Sequence, residues 1–150
     1  MARRQLDLYA LDQLETELDR LLTNGCVTVG QWDLAQICQH LSRSVNSTLE
    51  HVPLQVPLMM RMLLGPLMKR VVFKHRRFKD ALKVPAGLEP GPAGDDPQKA
   101  ADELKQIMRR LADFPGPWPD HAVFGRLSPE QWLDFHLIHA SHHLSFIEAE

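Results

Sequence analysis

The chain has few cysteines, and this scarcity bears on where the protein works. Only Cys26 and Cys38 occur among the 150 residues, and they do not form a CxxC pair. Two cysteines are too few to build a disulfide framework. The first residues, MARRQLDLYALDQLE, also lack the apolar segment of a secretory signal peptide. We therefore expect a cytoplasmic protein whose thiols are reduced.

Long hydrophobic runs and a charge excess of one sign are missing as well. The most apolar stretch, VPLMMRMLLGPLM at 56–68, is interrupted by Arg61, Gly65 and Pro66 and is shorter than the ~20 residues that cross a bilayer. A formal net charge of -2 gives no overall attraction to nucleic acid or to an anionic membrane. Membrane and nucleic-acid partners are therefore not expected.

The composition that remains is typical of a soluble globular domain. Hydrophobic residues make up 44% of the chain and charged residues 24%, which is close to the average for such proteins. A chain of 150 residues is long enough to bury a core without covalent support. We expect a single domain over residues 1–150.

Helical spacing of apolar residues recurs along the chain, whereas strand-like alternation and internal repeats are not seen. The leucines of 6–22 predict a first helix, and the segment 30–53 predicts a second. A third helix begins near Leu58, and Pro66 inside it predicts a kink or break.

Start signals mark the last two helices. Asp96 and Pro97 suit the N-cap and first position of a fourth helix. Ser128, with Gln131 three residues later, forms a capping box for the last one. The predicted fold class is all-α, a four-helix bundle with one additional broken or short helix.

The histidine-rich stretch HLIHASHHLSFIE, residues 136–148, holds four of the eight histidines in eight consecutive positions. If the last helix continues to the end of this stretch, all four histidines lie within about 60° of His139 around the helix axis. Leucines cover most of the opposite side. Such a helix is apolar around most of its circumference and should be buried, together with its histidines.

Buried imidazoles need partners, because an unpaired polar group in a core costs roughly 1–3 kcal/mol. His139 and His143 are one turn apart, the spacing at which two imidazoles can bind one metal ion. His136 is two turns, roughly 10.5 Å, from His143 and cannot easily share that ion. Ala140 stands where zinc proteases of the HExxH type carry a glutamate, which excludes that class. Structural or interfacial histidines are the alternative interpretation of the pair.

A third ligand is available in the second predicted helix. His40 lies at the border of the apolar face of that helix, beside a group of polar residues. Placed opposite the last helix, it would complete three histidines facing a cavity. Three neutral nitrogen ligands with open positions are typical of catalytic metal sites. The candidate metal ligands are therefore His40, His139 and His143.

Two stretches of the chain, WDLAQICQHL at 32–41 and HAVFGRLSPEQWLDFHLIHASHHLSFI at 121–147, carry a family resemblance. They resemble a bacterial family of domains of unknown function in the DinB-like (YfiT-like) superfamily. The resemblance implies a four-helix bundle that often binds a divalent metal through one histidine in the second helix and an HxxxH pair in the last. Those positions match His40, His139 and His143.

The resemblance also bears on activity. The superfamily includes thiol-dependent S-transferases and isomerases that use low-molecular-weight thiols such as bacillithiol or mycothiol, and many members without known activity. It therefore implies a thiol-dependent S-transferase or a metal-dependent hydrolase, with a small-molecule thiol or electrophile as partner, and it allows a homodimer. Imidazole ligands suit zinc, nickel or iron.

Several residues near the candidate ligands have both a functional and an ordinary explanation. His142 and His136 could donate to a metal ligand or carry a proton, or could simply pack between helices. Gln36 and Ser44 could line the pocket. His121, in the loop PDHAVFG, could cover the cavity or belong only to that loop.

Other conspicuous side chains are interpreted as structural. Trp32 and Trp132 are expected to be core anchors rather than substrate platforms. Cys38 should be an inert core thiol. The methionines of the third helix are expected to fill a core or an interface: Met59, Met60, Met62 and Met68.

The basic segment KRVVFKHRRFK, residues 69–79, supports an alternative function. Eight of the seventeen Lys and Arg residues lie between Arg61 and Lys83, and aromatic residues alternate with them in this segment. Such a pattern could bind phosphate or an acidic surface, or attract an anionic thiol to the metal. The alternative is a non-catalytic binding or interaction module with structural histidines. A solvated helix end is the ordinary explanation of the segment.

Overall fold

The computed structural model describes residues 2–78 and 83–150, and these ranges are mostly helical. They contain five helices and a two-stranded antiparallel sheet, so the all-α expectation holds with one small addition. In chain order, the elements are α1 (Leu11–Asn24), β1 (Cys26–Thr28), α2 (Leu34–Leu49), α3 (Leu58–His75), α4 (Pro97–Ala112), α5 (Pro129–Leu144) and β2 (Ile147–Ala149). None of the described helices is long and apolar enough to cross a membrane.

Capping residues begin three of these helices. The Asp33 carboxylate accepts the Gln36 backbone N–H at 2.8 Å, and the Gln36 side chain accepts the Asp33 N–H at 3.1 Å. Ser128 and Gln131 form the same reciprocal pair at the start of α5, and Asp96 caps α4. These bonds satisfy backbone donors that have no partner within the helix. The predicted starts of α4 and α5 are confirmed.

Four of the helices enclose the core. α1 and α2 each pack against both α4 and α5, and the contact between α2 and α4 is the most extensive. The predicted apolar face of α2 is buried along its whole length: Leu34, Cys38, Leu41, Val45 and Leu49. His40 lies on the side of α2 that meets α5, where its ring contacts His139.

Residues 2–10 are not helical, so the predicted inclusion of Leu6 in the first helix is wrong. This N-terminal segment crosses the C-terminal end of α5. Arg4 donates to the Leu144 carbonyl at 3.1 Å and forms an ion pair with the buried Glu17. The last carbonyls of a helix have no intrahelical partner. Because Arg4 bonds to one of them, the segment is held against α5 rather than added to α1.

The last helix is shorter than the sequence predicts. α5 ends at Leu144, although the helical pattern was extended through residue 148. β2 follows and pairs with β1, with Ile147 opposite Thr28 and Ala149 opposite Cys26. The hydrogen bonds of this pairing come from a distant part of the chain, and the local apolar pattern contains no sign of them.

A kink or a break is predicted at Pro66, and the break is wrong because α3 continues through this residue. A proline removes the hydrogen bond to the carbonyl four residues earlier, which here belongs to Met62. Both residues are exposed, so water can bond to that carbonyl instead. The cost of the proline is therefore too small to end the helix.

A glycine brings α3 close to the turn at 121–125. A Cβ atom at Gly65 would overlap the Val123 carbonyl oxygen. About two turns further along α3, Val72 is buried. The next residue, Phe73, meets the Phe124 ring edge to face at 6.0 Å between centroids. Only glycine allows the helix backbone to approach the turn this closely.

The α3 methionines are expected to fill a core or an interface, and the core is wrong for three of them, for which the interface stays a prediction. Met59, Met60 and Met62 are between 47 and 73% exposed, whereas Met68 is half-buried. These side chains are on the outer surface because α3 lies outside the four-helix core and touches it along a narrow stripe.

We predict that Gly65→Ala lowers the free energy of unfolding by about 1–3 kcal/mol, because the added methyl group overpacks the contact with Val123. Alanine is the better helix former by about 1 kcal/mol, so a gain in stability would be expected from propensity alone. Urea denaturation measures the difference, with the exposed Lys74→Ala in the same helix as the control. Equal stability of both variants with the wild type would show that α3 does not dock through Gly65.

Candidate metal centre

His40 is held in one tautomer by a backbone carbonyl. Its ring is 2% exposed in the middle of α2, and its Nδ1 lies 2.6 Å from the Leu88 carbonyl oxygen. A carbonyl can only accept, so Nδ1 carries the proton and donates it. The lone pair is therefore on Nε2, the nitrogen that faces α5.

Three imidazoles converge at the contact between α2 and α5. His139 and His143 lie on adjacent turns of α5. The Nε2 of His139 lies 3.1 Å from the Nε2 of His40 and 3.1 Å from the Nε2 of His143. One ring nitrogen from each residue lies within 4.8 Å of the others. The structure thus brings together all three residues that the sequence proposes as ligands, close enough to hold a metal ion.

Burial keeps these three rings uncharged at neutral pH. It lowers the pKa of His40, lowers the pKa of His143 to about 2 and lowers that of His139 well below its usual range. The neighbouring imidazoles lower the pKa values of His139 and His143 further, because each disfavours a second positive charge. Neutral imidazoles are the form that binds metal ions.

Hydrogen bonding by itself does not satisfy this arrangement. Because His40 Nε2 has no proton, only the Nε2–H of His139 could bond to it. The same nitrogen also faces His143 Nε2, and one proton cannot form two linear hydrogen bonds. Three nitrogens that bind a tetrahedral zinc ion at 2.0–2.1 Å lie about 3.3 Å apart. The observed spacing therefore fits a shared cation.

The charged side chains that act on the cluster are cationic. Arg43 lowers the pKa of His40 and Arg3 lowers the pKa of His143. Among the described residues, no carboxylate contributes to the pKa shifts of the three histidines. A divalent ion held here would keep its full charge, and an anion would be favoured at its open positions.

Aromatic rings surround the cluster on two sides. Trp32 stacks on His143 at 5.5 Å between centroids and contacts the His40 ring at 5.1 Å. Phe78 meets His139 edge to face at 5.6 Å. Trp32 is half-buried and packs against the hydrophobic core, as the sequence predicts, and its ring also forms a wall of the site. Trp132 is 4% exposed, in agreement with its predicted place in the core.

A family model matches the chain over residues 1–150. The chain belongs to the family of proteins of unknown function DUF1569. No match was found among curated proteins or among solved structures. The expected membership of a domain family of unknown function is thereby confirmed, and the chemistry of this DUF1569 protein must be argued from its own residues.

A strap between α3 and α4 positions the carbonyl that orients His40. We use this name for residues 85–96, the proline- and glycine-rich loop. Within it, the Gly91 N–H donates to the Gln39 side chain at 2.8 Å, and the Gly91 carbonyl accepts from the Gln36 side chain at 3.1 Å. Leu88 itself is 6% exposed. Two amides of α2 therefore clamp the strap and bring its carbonyl to His40.

The other polar candidates have different positions. His142 meets the His143 ring edge to face at 4.9 Å, and Arg3 donates to its Nδ1 at 3.0 Å. Because arginine only donates, the His142 proton is on Nε2. Gln36 is engaged by the helix cap and the strap rather than turned into a cavity. Ser44 is buried, and its carbonyl accepts from the Ser47 hydroxyl.

His136 and His121 lie further along the aromatic side of α5. His136 is buried beneath the stacked Trp132 ring, and its Nε2 is 2.9 Å from the Thr48 hydroxyl. His121 stacks on Phe124 at 4.3 Å, and its Nδ1 accepts two backbone N–H groups of its own turn. These hydrogen bonds hold the turn together, which agrees with the explanation that His121 belongs only to its loop.

The basic segment 69–79 is partly committed to the fold. Lys69 donates to the Arg126 carbonyl at 3.1 Å, and Arg76 pairs with Asp134 at 2.5 Å. Arg70, Lys74 and Arg77 are exposed, while Lys79 lies outside the described residues. A role in binding a partner stays a prediction for this segment.

Sequence reasoning missed Leu88, Gln39 and Phe78 as parts of the site. The single buried leucine in the strap was the available signal, since an apolar residue between prolines and glycines has to be covered by something. The tautomer of His40 has no sequence signal, because it depends on a backbone carbonyl.

We predict that the fold loses stability as the pH falls below about 6.5, in part through His136. Burial, with a smaller contribution from His121, lowers the pKa of His136 from 6.5 to about 3. The unfolded chain binds this proton near pH 6.5 and the folded chain does not, so the free energy of unfolding falls by up to about 1.4 kcal/mol per pH unit.

The double variant Thr48→Val, His136→Phe removes both polar partners. In urea denaturation with a chelator present, its stability should change less steeply between pH 6 and 4 than that of the wild type, by about one proton's contribution. Identical slopes would show that His136 is not kept neutral by the fold.

Proposed function

We propose that this protein binds one divalent metal ion through His40, His139 and His143 and acts on a small electrophilic molecule with a thiol or water as nucleophile. The observation that carries the proposal is the convergence of three Nε2 atoms on the α2–α5 contact. The Nε2 of His40 carries no proton, because the Leu88 carbonyl holds the proton on Nδ1. Buried, neutral, converging imidazoles are costly without a shared partner.

Zinc, nickel and iron are the ions we propose. Imidazole ligands suit all three, and three ligands from a protein leave positions open for a reactant. Calcium and magnesium prefer oxygen ligands, and no carboxylate joins the three histidines in the described part of the site.

When bound, a divalent ion supplies a nucleophile at neutral pH by lowering the pKa of a thiol or of water. The side chains of the protein do the rest. His40 is oriented through Leu88, Trp32 fixes the His143 ring by stacking, and Phe78 shields His139 from water. The His142 ring contacts the His143 ring and carries its proton on Nε2, and His142 is the residue we propose to hold a proton for the reaction.

The cationic surroundings favour an anionic nucleophile, and a thiolate forms at neutral pH more readily than hydroxide. Arg3 and Arg43 add positive charge to a neutral ligand set. A thiol loses its proton more readily than water does, so it gains the full benefit of this field at neutral pH. We therefore rank a thiol-dependent S-transferase before a metal-dependent hydrolase, in line with the resemblance to the DinB-like superfamily.

We also propose that residues 1–150 form one domain of the DinB-like type and act in the cytoplasm. The packing of α1 and α2 against α4 and α5 supplies the four helices of such a bundle, with α3 as the additional helix. The candidate ligands fall on α2 and α5, the helices that the resemblance indicates.

We predict about one divalent ion per chain in protein purified without a tag or chelator, and less than a tenth of this in His139→Ala. His139 is the central residue, so its removal leaves two nitrogens that belong to different helices. Elemental mass spectrometry measures the content, and His75→Ala, an exposed histidine of α3, is the matched control. No ion after reconstitution with zinc, nickel or iron would remove the metal site and the chemistry built on it.

The reaction class has its own test. Metal-loaded protein is given a low-molecular-weight thiol with an alkylating electrophile, and separately an activated ester. Conjugation that His139→Ala loses supports the transferase, and ester cleavage without thiol supports the hydrolase. A protein that holds metal but accelerates neither reaction would retain the metal site and contradict both activities.

We predict that Gln39→Ala weakens metal binding about tenfold without changing the stoichiometry. Loss of the Gln39 clamp leaves Gly91 held by Gln36 alone, and the Leu88 carbonyl then holds His40 less firmly. Partners one step removed from a ligand typically contribute 10–100-fold to affinity. Titration calorimetry measures the dissociation constant, with the exposed Gln106→Ala of α4 as the control. An unchanged constant in Gln39→Ala would show that the strap does not orient the ligand.

A further inference from the structure

The outer surface of α3 is apolar to an extent that no other described part of the chain matches. Eight of its large apolar side chains are between 44 and 73% exposed: Leu58, Met59, Met60, Met62, Leu63, Leu64, Leu67 and Val71. Outside α3, the large apolar side chains with comparable exposure are Tyr9 and Val52. Contiguous patches of this kind on a soluble domain mark an interaction surface.

α3 has the reverse of the usual orientation of a surface helix. Three of its cations are turned toward the protein: Arg61 faces Asp120 at 3.9 Å, Lys69 bonds to the Arg126 carbonyl, and Arg76 pairs with Asp134. At about 100° per residue, the opposite side of the first three turns carries only methionine, leucine and proline. We call this side, with Met59, Met60, Leu63, Leu64 and Leu67, the outward face of α3.

An exposed apolar surface of this size is unfavourable in water and favours a cover. A surface helix normally directs its polar stripe to the solvent and its apolar stripe to the core. Here Arg61, Lys69 and Arg76 are held by the protein, so the fold itself turns the outward face to the outside. Flexible methionine side chains adapt readily to an opposing apolar surface.

The accessible surface of the whole chain is larger than that of a compact monomer of the same mass, which agrees with an uncovered interface. The chain exposes 8732 Å², whereas a compact monomer of 17.1 kDa is expected to expose about 7,750 Å². The excess of about 1,000 Å² is close to the ~800 Å² that each partner buries in a standard protein–protein interface. A second copy of the same chain would cover an area of this size.

The charges on α3 are compatible with a second copy in one relative orientation. Lys74 and Arg70 are exposed near the C-terminal end of the helix. In an antiparallel pair centred on Leu63, the two Lys74 residues would lie about 33 Å apart along the helices, at 1.5 Å per residue. That separation is several times the Debye length at physiological salt, so the repulsion between them is small.

We propose that the outward face of α3 is the interface at which two copies of this chain form an antiparallel, two-fold symmetric dimer. Two-fold interfaces use the same patch on both subunits, and an apolar face is complementary to itself. The inference concerns a surface on the outside of the bundle and does not rest on the metal site.

The test is the oligomeric state of the full chain with single charges placed in the face. Sedimentation velocity over low to high micromolar concentrations should give a species of twice 17.1 kDa for the wild type. Leu63→Glu and Leu67→Glu should each raise the dissociation constant of the dimer at least about 100-fold, because a buried unpaired charge is strongly unfavourable. Ala112→Glu, which puts the same charge on an exposed position of α4, should leave the dimer intact.

Each other outcome overturns the proposal. A wild type that stays monomeric has no such interface, and a dimer that survives both α3 charges uses another surface. Flotation of a monomeric wild type with anionic vesicles, lost in Leu63→Glu, would identify a lipid surface as the cover. A loss of helix content by circular dichroism in both variants would show that the two leucines are buried within one chain instead of lying outward.

Discussion

Three imidazoles removed from water at one helix–helix contact are the constraint around which the rest of this structure is organised. Burial makes the charged form of each ring unfavourable, so all three stay neutral and each ring nitrogen requires a partner. A neutral imidazole has one donor and one acceptor nitrogen. The fold can meet this demand at His40 with a carbonyl, but it cannot meet it among three converging nitrogens without a further group.

The neighbourhood of the cluster is built to preserve that convergence. The strap supplies the Leu88 carbonyl, and two glutamine side chains of α2 hold the strap in place. On the other side, the N-terminal segment closes the end of α5 through Arg4, while Arg3 reaches His142. Residues far apart in the chain thus restrict the rotation of rings that sit on only two helices.

α3 and α5 show how tertiary packing gives two apolar helices opposite roles. Both carry apolar residues around most of their circumference. α5 packs within the bundle and brings its histidines inside, whereas α3 is attached by Gly65 and a narrow stripe and leaves its leucines and methionines outside. The difference comes from the space available around each helix and from the ion pairs that anchor α3 by its polar side.

Much of the architecture follows from local sequence. Helix starts at Asp33, Asp96 and Ser128 depend on bonds between residues at most three apart, so pattern and composition suffice to locate them. The i and i+4 spacing of His139 and His143 puts their side chains on one helix face for the same reason. His40 could be selected because helix periodicity shows which side of α2 is free of the continuous apolar stripe.

What only the tertiary structure decided involves contacts between residues that are distant in the chain. Leu88 is 48 residues from His40, and its carbonyl carries no information in its side-chain identity. The non-helical segment at 2–10, the strand at Ile147–Ala149 and the exposure of α3 are of the same kind. Each depends on which surface is nearby after folding, and a local pattern of apolar and polar residues does not specify that surface. The sequence alone determined which segments are helical and which three histidines are candidate ligands. Their convergence, enclosure, tautomer and neighbours were decided by packing.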